Sequence, residues 1–247
     1  MNMQEYAAIK PHIKVPFNGT DVIYRVSNPY TEGRVQTLFV KEPDTIEWIS
    51  KMQEGDVLFD VGANVGMYTI WASVTRKVKV FAFEPESLNY AMLNQNIQAN
   101  HCNAEAYCVA ISDEEKFDKL YLSNFMQGTS CHSFGENVNF KNEARPTVHY
   151  AQGCFSTTLD RMTELLGIPD YIKIDVDGIE PKVVRGGKRT LRVVKSVLVE
   201  LDSNNKEHMD VVELMKEKGF TYDEQQVLKA RRTSGPFTGI GNWIFSK

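Results

Sequence analysis

Val57-Leu58-Phe59-Asp60-Val61-Gly62-Ala63-Asn64-Val65-Gly66 is the stretch whose reading decides the fold. An apolar run ends in an acid, passes a glycine-bounded loop and enters a helix-like segment from Met67 to Val74. A buried strand feeding a tight loop and a helix N-terminus is a cradle for a small ligand. The spacing approaches the dinucleotide fingerprint G-x-G-x-x-G, with Asn64 in place of the middle glycine. That glycine lets a backbone approach a pyrophosphate, so its replacement disfavours NAD. Asp60 would repel a pyrophosphate and suit a cationic ligand. A nucleoside carrying an ammonium and a sulfonium, S-adenosylmethionine, meets both conditions.

Outward from this loop, strands and helices alternate. Strands are predicted at Asp56–Asp60, Val78–Phe83, Tyr107–Ile111, Tyr171–Val176 and Ser196–Leu201. Helices are predicted over Tyr68–Val74, Asn89–Ala99, Thr158–Leu166, Val183–Leu191 (broken near Gly186-Gly187) and His208–Lys218. Phe220–Tyr222 and Asn242–Phe245 close the chain as a strand pair around a polar loop. Ahead of the core, Asn18-Gly19 marks a hairpin turn, and Val35–Val40 is expected to pair with that hairpin. Pro43 opens a helix to about Met52. The expected fold is a doubly wound α/β sheet of the Rossmann-like kind, with a final antiparallel pair. Residues 1–54 form an N-terminal extension and 55–247 a catalytic core. Its ligands belong at the carboxyl ends of the strands. Glu84, 22 positions after Gly62, ends the second strand where an acid accepts hydrogen bonds from ribose hydroxyls.

Composition narrows the function. The formal net charge is −4 and the pI about 5.8, so no basic footprint points to nucleic acid. No apolar run reaches membrane-spanning length, and Met1 to Val15 lacks a signal-peptide core. Four cysteines without a C-x-x-C pair fit a reduced, cytoplasmic chain. Tyr121 to Cys154 is long, polar and aromatic, without a regular period. It is expected to bind the acceptor, with an extra strand pair as the alternative. His132 and His149 lack the second spaced pair of a metal site, and no metal ligand is assigned.

Four blocks, in this order, resemble the FkbM family of S-adenosylmethionine-dependent methyltransferases. They are Asp60-Val61-Gly62-Ala63-Asn64-Val65-Gly66-Met67-Tyr68-Thr69; Ala82-Phe83-Glu84-Pro85 with Leu93-Asn94-Gln95-Asn96; Leu159-Asp160; and Ile172-Lys173-Ile174-Asp175-Val176-Asp177-Gly178-Ile179-Glu180 with Gly186-Gly187. The family commonly has Glu where Asp177 stands, which keeps the charge and changes the reach. The resemblance implies a class I methyltransferase fold and methyl transfer, usually to a hydroxyl of a sugar, glycan or secondary metabolite. It implies donor contacts from Asp60, Gly62, Asn64 and Gly66 around the methionine part, Glu84 on the ribose, and Ala110-Ile111-Ser112 near the adenine.

An alcohol is a weak nucleophile, so positioning and a base both matter. Asp175 is the leading catalytic candidate. Lys173 shares its side-chain parity and would pair with it, orienting the acceptor oxygen or acting as a base if its pKa were depressed. Asp177 and Glu180 read either as acceptor contacts or as a capping box. A histidine base, His132 or His149, is a further option. N-methylation is the alternative reaction, disfavoured because Asp175-Val176-Asp177-Gly178 lacks the Asn/Asp-Pro-Pro-aromatic pattern of base methylases. A non-catalytic nucleoside-binding protein is the alternative class, and a homodimer is a possible assembly.

Overall fold

The computed structural model describes residues 1–139 and 143–247. A short helix α1 (Met3–Ala8) precedes a hairpin of β1 (His12–Phe17) and β2 (Thr20–Arg25). Asn18 and Gly19 both take positive φ (47° and 80°), as a two-residue hairpin turn requires. Val35–Val40 does not extend this hairpin. Pro29–Gln36 is helix α2, with Pro29 at its start and Asn28 as its N-cap. The Asn28 side chain accepts from Thr31 N–H while Thr31 Oγ1 accepts from Asn28 N–H. Val35 and Leu38 are therefore one buried helix-and-turn face, at i and i+3, rather than alternate strand positions. Helix α3 (Pro43–Ser50) follows, as expected.

The core then alternates β3 (Val57–Val61), α4 (Met67–Arg76), β4 (Lys79–Phe83), α5 (Ser87–Asn100) and β5 (Ala104–Tyr107). The expected strand Tyr107–Ile111 splits. Its first part belongs to β5 of the main sheet, and β6 (Ala110–Ser112) starts a second one. With β7 (Lys116–Leu122), β8 (Ser133–Phe134) and β9 (Tyr150–Thr158), β6 forms a sheet of order β6-β9-β7-β8 among the described residues. The ends of Tyr121–Cys154 thus fall in β7 and β9 and a short part in β8, while residues 140–142 lie outside the described residues. The chain returns through α6 (Leu159–Leu166), β10 (Tyr171–Ile174), α7 (Glu180–Arg185), a 3₁₀ turn (Thr190–Arg192), β11 (Ser196–Asp202) and α8 (Lys206–Glu217). It ends with β12 (Thr221–Tyr222), α9 (Glu224–Ala230) and β13 (Ile240–Ser246). Helix α9 occupies part of the expected polar loop, with Asp223 as its cap.

The main sheet runs β12-β13-β11-β10-β3-β4-β5 among the described residues, with β13 antiparallel to both neighbours. The chain starts mid-sheet at β3, steps outward to β5, then crosses back to β10 on the other side of β3. That reversal opens a crevice beyond the carboxyl ends of β3 and β10, the usual ligand position in such sheets. Alternation along β3 sends Phe59 and Val61 to one layer and Leu58 to the other. Phe59 meets Phe81 and Phe83 edge-on in the first. In the second, Leu58 packs with Trp48, Ile49 and Trp71. The N-terminal segment therefore completes one face of the same core. Among the described residues, no helix is long and apolar enough to cross a membrane.

Three polar side chains join the hairpin to the core. Tyr24 donates to the Met67 carbonyl at 2.9 Å. Asn100 accepts from Ile23 N–H and donates to its carbonyl. Fully buried Asn96 accepts from Arg25 N–H at 2.7 Å and donates to the Val65 carbonyl at 2.8 Å, linking hairpin to loop. Truncating it strands two backbone groups, each costing ~1–3 kcal/mol. Asn96→Ala is expected to lose about 2–4 kcal/mol in urea unfolding, and a loss within ~0.5 kcal/mol would show the hairpin to be held by packing alone.

Candidate active site

Gly62 follows β3 at φ 79°, and an added Cβ would overlap the backbone carbonyl of Asp175. The loop after β3 and the end of β10 therefore touch backbone to backbone, which only glycine permits. Gly62 and Ala63 N–H both donate to the Phe83 carbonyl, at 3.0 and 3.1 Å. Asn64 takes φ 51° at the point of the turn. Its N–H donates to Glu84 Oε2 at 2.7 Å, and its side-chain amide donates to the Thr129 carbonyl at 2.7 Å. Glu84 also accepts from Glu86 N–H through Oε1. Burial pushes the Glu84 carboxyl up to about 7, against the pull of those two N–H groups.

At the end of β10, buried Lys173 donates to Asp175 Oδ2 at 2.9 Å and lies over the Tyr68 ring. Burial alone would lower the Lys173 pKa, but Asp175, Asp60 and Glu42 raise it above the ordinary value. Lys173 is thus held as a cation, and the alternative of a depressed lysine base is overturned. For Asp175, burial acts upward and Lys173 prevails, taking the carboxyl to about 2. Two residues on, Asp177 stands at φ 60°, a costly conformation for a non-glycine residue. Its Oδ2 accepts from Cys131 N–H at 2.7 Å, and burial with the nearby Asp175 pushes it up to about 6.

The capping box expected at Asp177 does not form, because that carboxylate turns to Cys131. Ile179 occupies the N-cap position of α7 without a side-chain bond. Glu180 instead reaches back to Val176 and Gly178 N–H, each at 3.0 Å, and fixes the loop carrying Asp175 and Asp177. Burial raises Glu180 to about 7.

Two cavities meet here. The larger, about 250 Å³, is walled by Lys173, Tyr68, Glu42, Glu200, Arg34 and Arg232. The narrower, about 60 Å³, has Glu84 on one side and Phe83, Val109, Ile111 and Ile179 as an apolar wall. Gly62, Asn64, Ser130, Asp175 and Asp177 line both. Of the residues chosen from sequence, Gly62, Asn64, Glu84, Lys173 and Asp175 therefore converge. Asp60, Gly66 and Ser112 border neither cavity but support the walls. Asp60 Oδ2 accepts from Thr69 Oγ1 at 2.5 Å beneath Lys173. Gly66 starts α4 against Leu93, and Ser112 pairs with Thr158.

Sequence reading missed Arg34, Lys41, Glu42, Arg232 and Phe237, all on the larger cavity. No local motif marks them, since they come from the two ends of the chain. Tyr121–Cys154 contributes Ser130 and Cys131 to that cavity. His132 borders the narrower one, where burial, Arg145 and Arg34 lower it to about 4, so it is neutral at physiological pH. Glu200 is engaged by Arg232 at 3.0 Å.

The narrow cavity suits a nucleoside. Each Glu84 oxygen receives one backbone N–H and retains a lone pair for a ribose hydroxyl, and the apolar wall suits a purine. This crevice, in a sheet with a reversed final strand, defines a class I S-adenosylmethionine-dependent methyltransferase. Residues 60–222 match the methyltransferase FkbM domain, and the chain belongs to that family. It is 26% identical over 220 residues to the 31-O-demethyl-FK506 methyltransferase FkbM of Streptomyces tacrolimicus, covering 75% of this chain and 84% of that one. It is 26% identical over 179 residues to the hexuronic acid methyltransferase AglP of Haloferax volcanii, covering 71% and 68%. Among solved structures, magnesium protoporphyrin IX methyltransferase from Synechocystis PCC 6803 aligns with a TM-score of 0.51 at 11% identity, covering 90% and 85%. Aeropyrum pernix fibrillarin aligns at 0.50 and 12% identity, covering 96% and 82%. At those identities the likeness concerns the fold.

The raised carboxyls link protonation to stability. Glu180 keeps its proton in the fold up to about 7, whereas the unfolded chain releases it in the ordinary range near ~4.3. Its contribution is fully present below that range and is lost as pH rises through about 7. Depressed His132 and His208 act in the opposite direction, and His208 Nε2 lies 3.8 Å from Glu180 Oε2, so the single-site difference reads Glu180 together with that neighbour. The stability of the wild type relative to Glu180→Gln is expected to shrink between about pH 5 and about pH 8. A pH-independent difference in urea unfolding would mean that Glu180 is ionised throughout.

Proposed function

We propose that this chain transfers a methyl group from S-adenosylmethionine to a hydroxyl oxygen of a sugar-like or secondary-metabolite acceptor. The observation that carries this reading is the shared border of the two cavities, where Asp175 and Asp177 stand between the narrow, Glu84-lined cavity and the larger polar one. The names of the two relatives, a 31-O-demethyl-FK506 methyltransferase and a hexuronic acid methyltransferase, support a hydroxyl-bearing acceptor.

When bound, S-adenosylmethionine supplies a sulfonium-activated methyl that requires in-line approach of a nucleophile. Glu84 would hold the ribose hydroxyls, Ala110 and Ile111 would flank the adenine, and Gly62 and Asn64 would border the methionine part. Asp60, Gly66 and Ser112 would keep those walls in register. Positioning supplies much of the rate in such a reaction.

The Lys173–Asp175 pair sets a fixed charge beside the acceptor position, where the ammonium orients the acceptor oxygen. Asp175, with its pKa near about 2, is a poor proton acceptor. Asp177, at about 6, is ionised near neutral pH yet basic enough to take the hydroxyl proton. Its Oδ2 is held by Cys131 N–H, leaving Oδ1 for the acceptor. The general base, left open in the sequence, is on this reading Asp177, with Asp175 kept as the partner of Lys173.

Asp177→Asn is expected to reduce kcat by about 10²–10⁴-fold and to remove the acidic limb of the pH–rate profile. Calorimetric affinity for S-adenosylhomocysteine should remain within about threefold of wild type. Unchanged turnover would eliminate Asp177 as the base, and wild-type protein that bound NADH but not S-adenosylhomocysteine would refute the reaction class.

A further inference from the structure

Four cations line the larger cavity: Arg34, Lys41, Lys173 and Arg232. Three have a carboxylate partner. Lys173 pairs with Asp175 at 2.9 Å, Arg232 with Glu200 at 3.0 Å and Lys41 with Glu42 at 3.1 Å. Arg34 has no carboxylate within ion-pair distance among the described residues. Its Nε donates to the Gly128 carbonyl at 2.6 Å. Gly128 N–H is in turn held by the buried Asn89 side chain at 2.7 Å. One edge of the guanidinium is thereby fixed, and its two terminal nitrogens make no hydrogen bond among the described residues. Arg34 lies close enough to lower the carboxyls of Asp175, Asp177 and Glu84, so its charge acts inside the site.

We propose that Arg34, assisted by Lys41, is an oxyanion-binding subsite for the acceptor, so that the acceptor carries a carboxylate or phosphate near the hydroxyl it presents. The inference rests on the methyl-transfer reading. S-adenosylmethionine has an ammonium, a sulfonium and one carboxylate, and therefore brings a net charge of about +1 at neutral pH. The formal charges lining the cavity are balanced, with Glu42, Asp175, Asp177 and Glu200 against the four cations. Donor and site together carry surplus positive charge in a confined space, and an anionic acceptor removes it. A guanidinium with one edge anchored presents its remaining donors in a fixed fork, the geometry that favours carboxylate and phosphate oxygens. Lys41 is half exposed and can turn from Glu42 toward the same oxyanion. Both residues lie on or just after α2, outside the stretch 60–222 that matches the family. The subsite is therefore a property of this chain's N-terminal segment.

Calorimetry on the full chain separates the sources of such an oxyanion. S-adenosylhomocysteine, which keeps the donor's shape without its sulfonium charge, is titrated first, so that any preference for an acid comes from Arg34 and Lys41 and not from the donor. D-glucuronate, glucose 6-phosphate and neutral D-glucose are then each titrated into the saturated complex. At least one of the two acids is expected to bind ~10-fold or more tightly than glucose. Arg34→Gln should reduce that preference to within ~3-fold while leaving S-adenosylhomocysteine affinity within ~3-fold of wild type, and Lys41→Gln should reduce it less. Circular dichroism monitors folding of both variants, and exposed Lys41 provides the readout if Arg34→Gln unfolds. Equal binding of acids and glucose, or no binding of either acid, overturns the proposal. So does a ~10-fold loss of S-adenosylhomocysteine affinity in Arg34→Gln, which would assign Arg34 to the donor's own carboxylate. Wild-type protein that fails to bind S-adenosylhomocysteine refutes the methyl-transfer reading itself.

Discussion

The backbone contact between Gly62 and the Asp175 carbonyl is the constraint on which the site depends. It lies where the sheet reverses direction, between parallel neighbours β3 and β10. Because no side chain separates the two strand ends there, the loop after β3 and the acidic loop after β10 share a border. Asn64 carries the turn at positive φ and fastens it to Glu84 and Thr129. Glu180 fastens the other loop from below. The two cavities owe their common wall to this pair of braced turns.

Electrostatics then differentiates two aspartates only two residues apart. Asp175 points toward a buried ammonium and is held strongly acidic; Asp177 has no such partner among the described residues and is pushed up by burial and by Asp175 itself. Paired carboxyls with opposite shifts permit different tasks in one site. Breaking a buried ion pair leaves an uncompensated charge, so Lys173 is a structural requirement of the loop that carries Asp175. Asp60 and Thr69 beneath it extend the same polar column into the core.

The segment before β3 has two roles for one reason. Its apolar face, with Val35, Leu38, Trp48 and Ile49, covers the exposed side of the sheet. That docking also carries Arg34 of α2, and Lys41 and Glu42 after it, to the cavity rim. The chain's far end supplies Arg232 and Phe237 to the same rim. Residues nearly 200 positions apart meet there, as the Asn242–Glu42 contact shows.

Much of the core was legible in the sequence because it is locally encoded. The apolar run ending in Asp60, the loop glycines, Glu84 at its spacing and the Asp175 strand end all obey short-range rules of period and turn chemistry. They determined the parallel sheet, the Glu84-lined crevice and the Lys173–Asp175 pair. Local pattern failed where a partner decides. Val35–Val40 alternates enough to pass for a strand, but capping by Asn28 and burial against the sheet make it helix and turn. Tyr107–Ile111 is one apolar run, yet its halves pair with β4 and β9 in different sheets. Tertiary structure alone decided which carboxyl is acidic and which basic, because burial and a neighbour's charge are absent from sequence. It also decided the wall of the larger cavity, since nothing local links Arg34 to Arg232 until the sheet brings both ends of the chain to one rim.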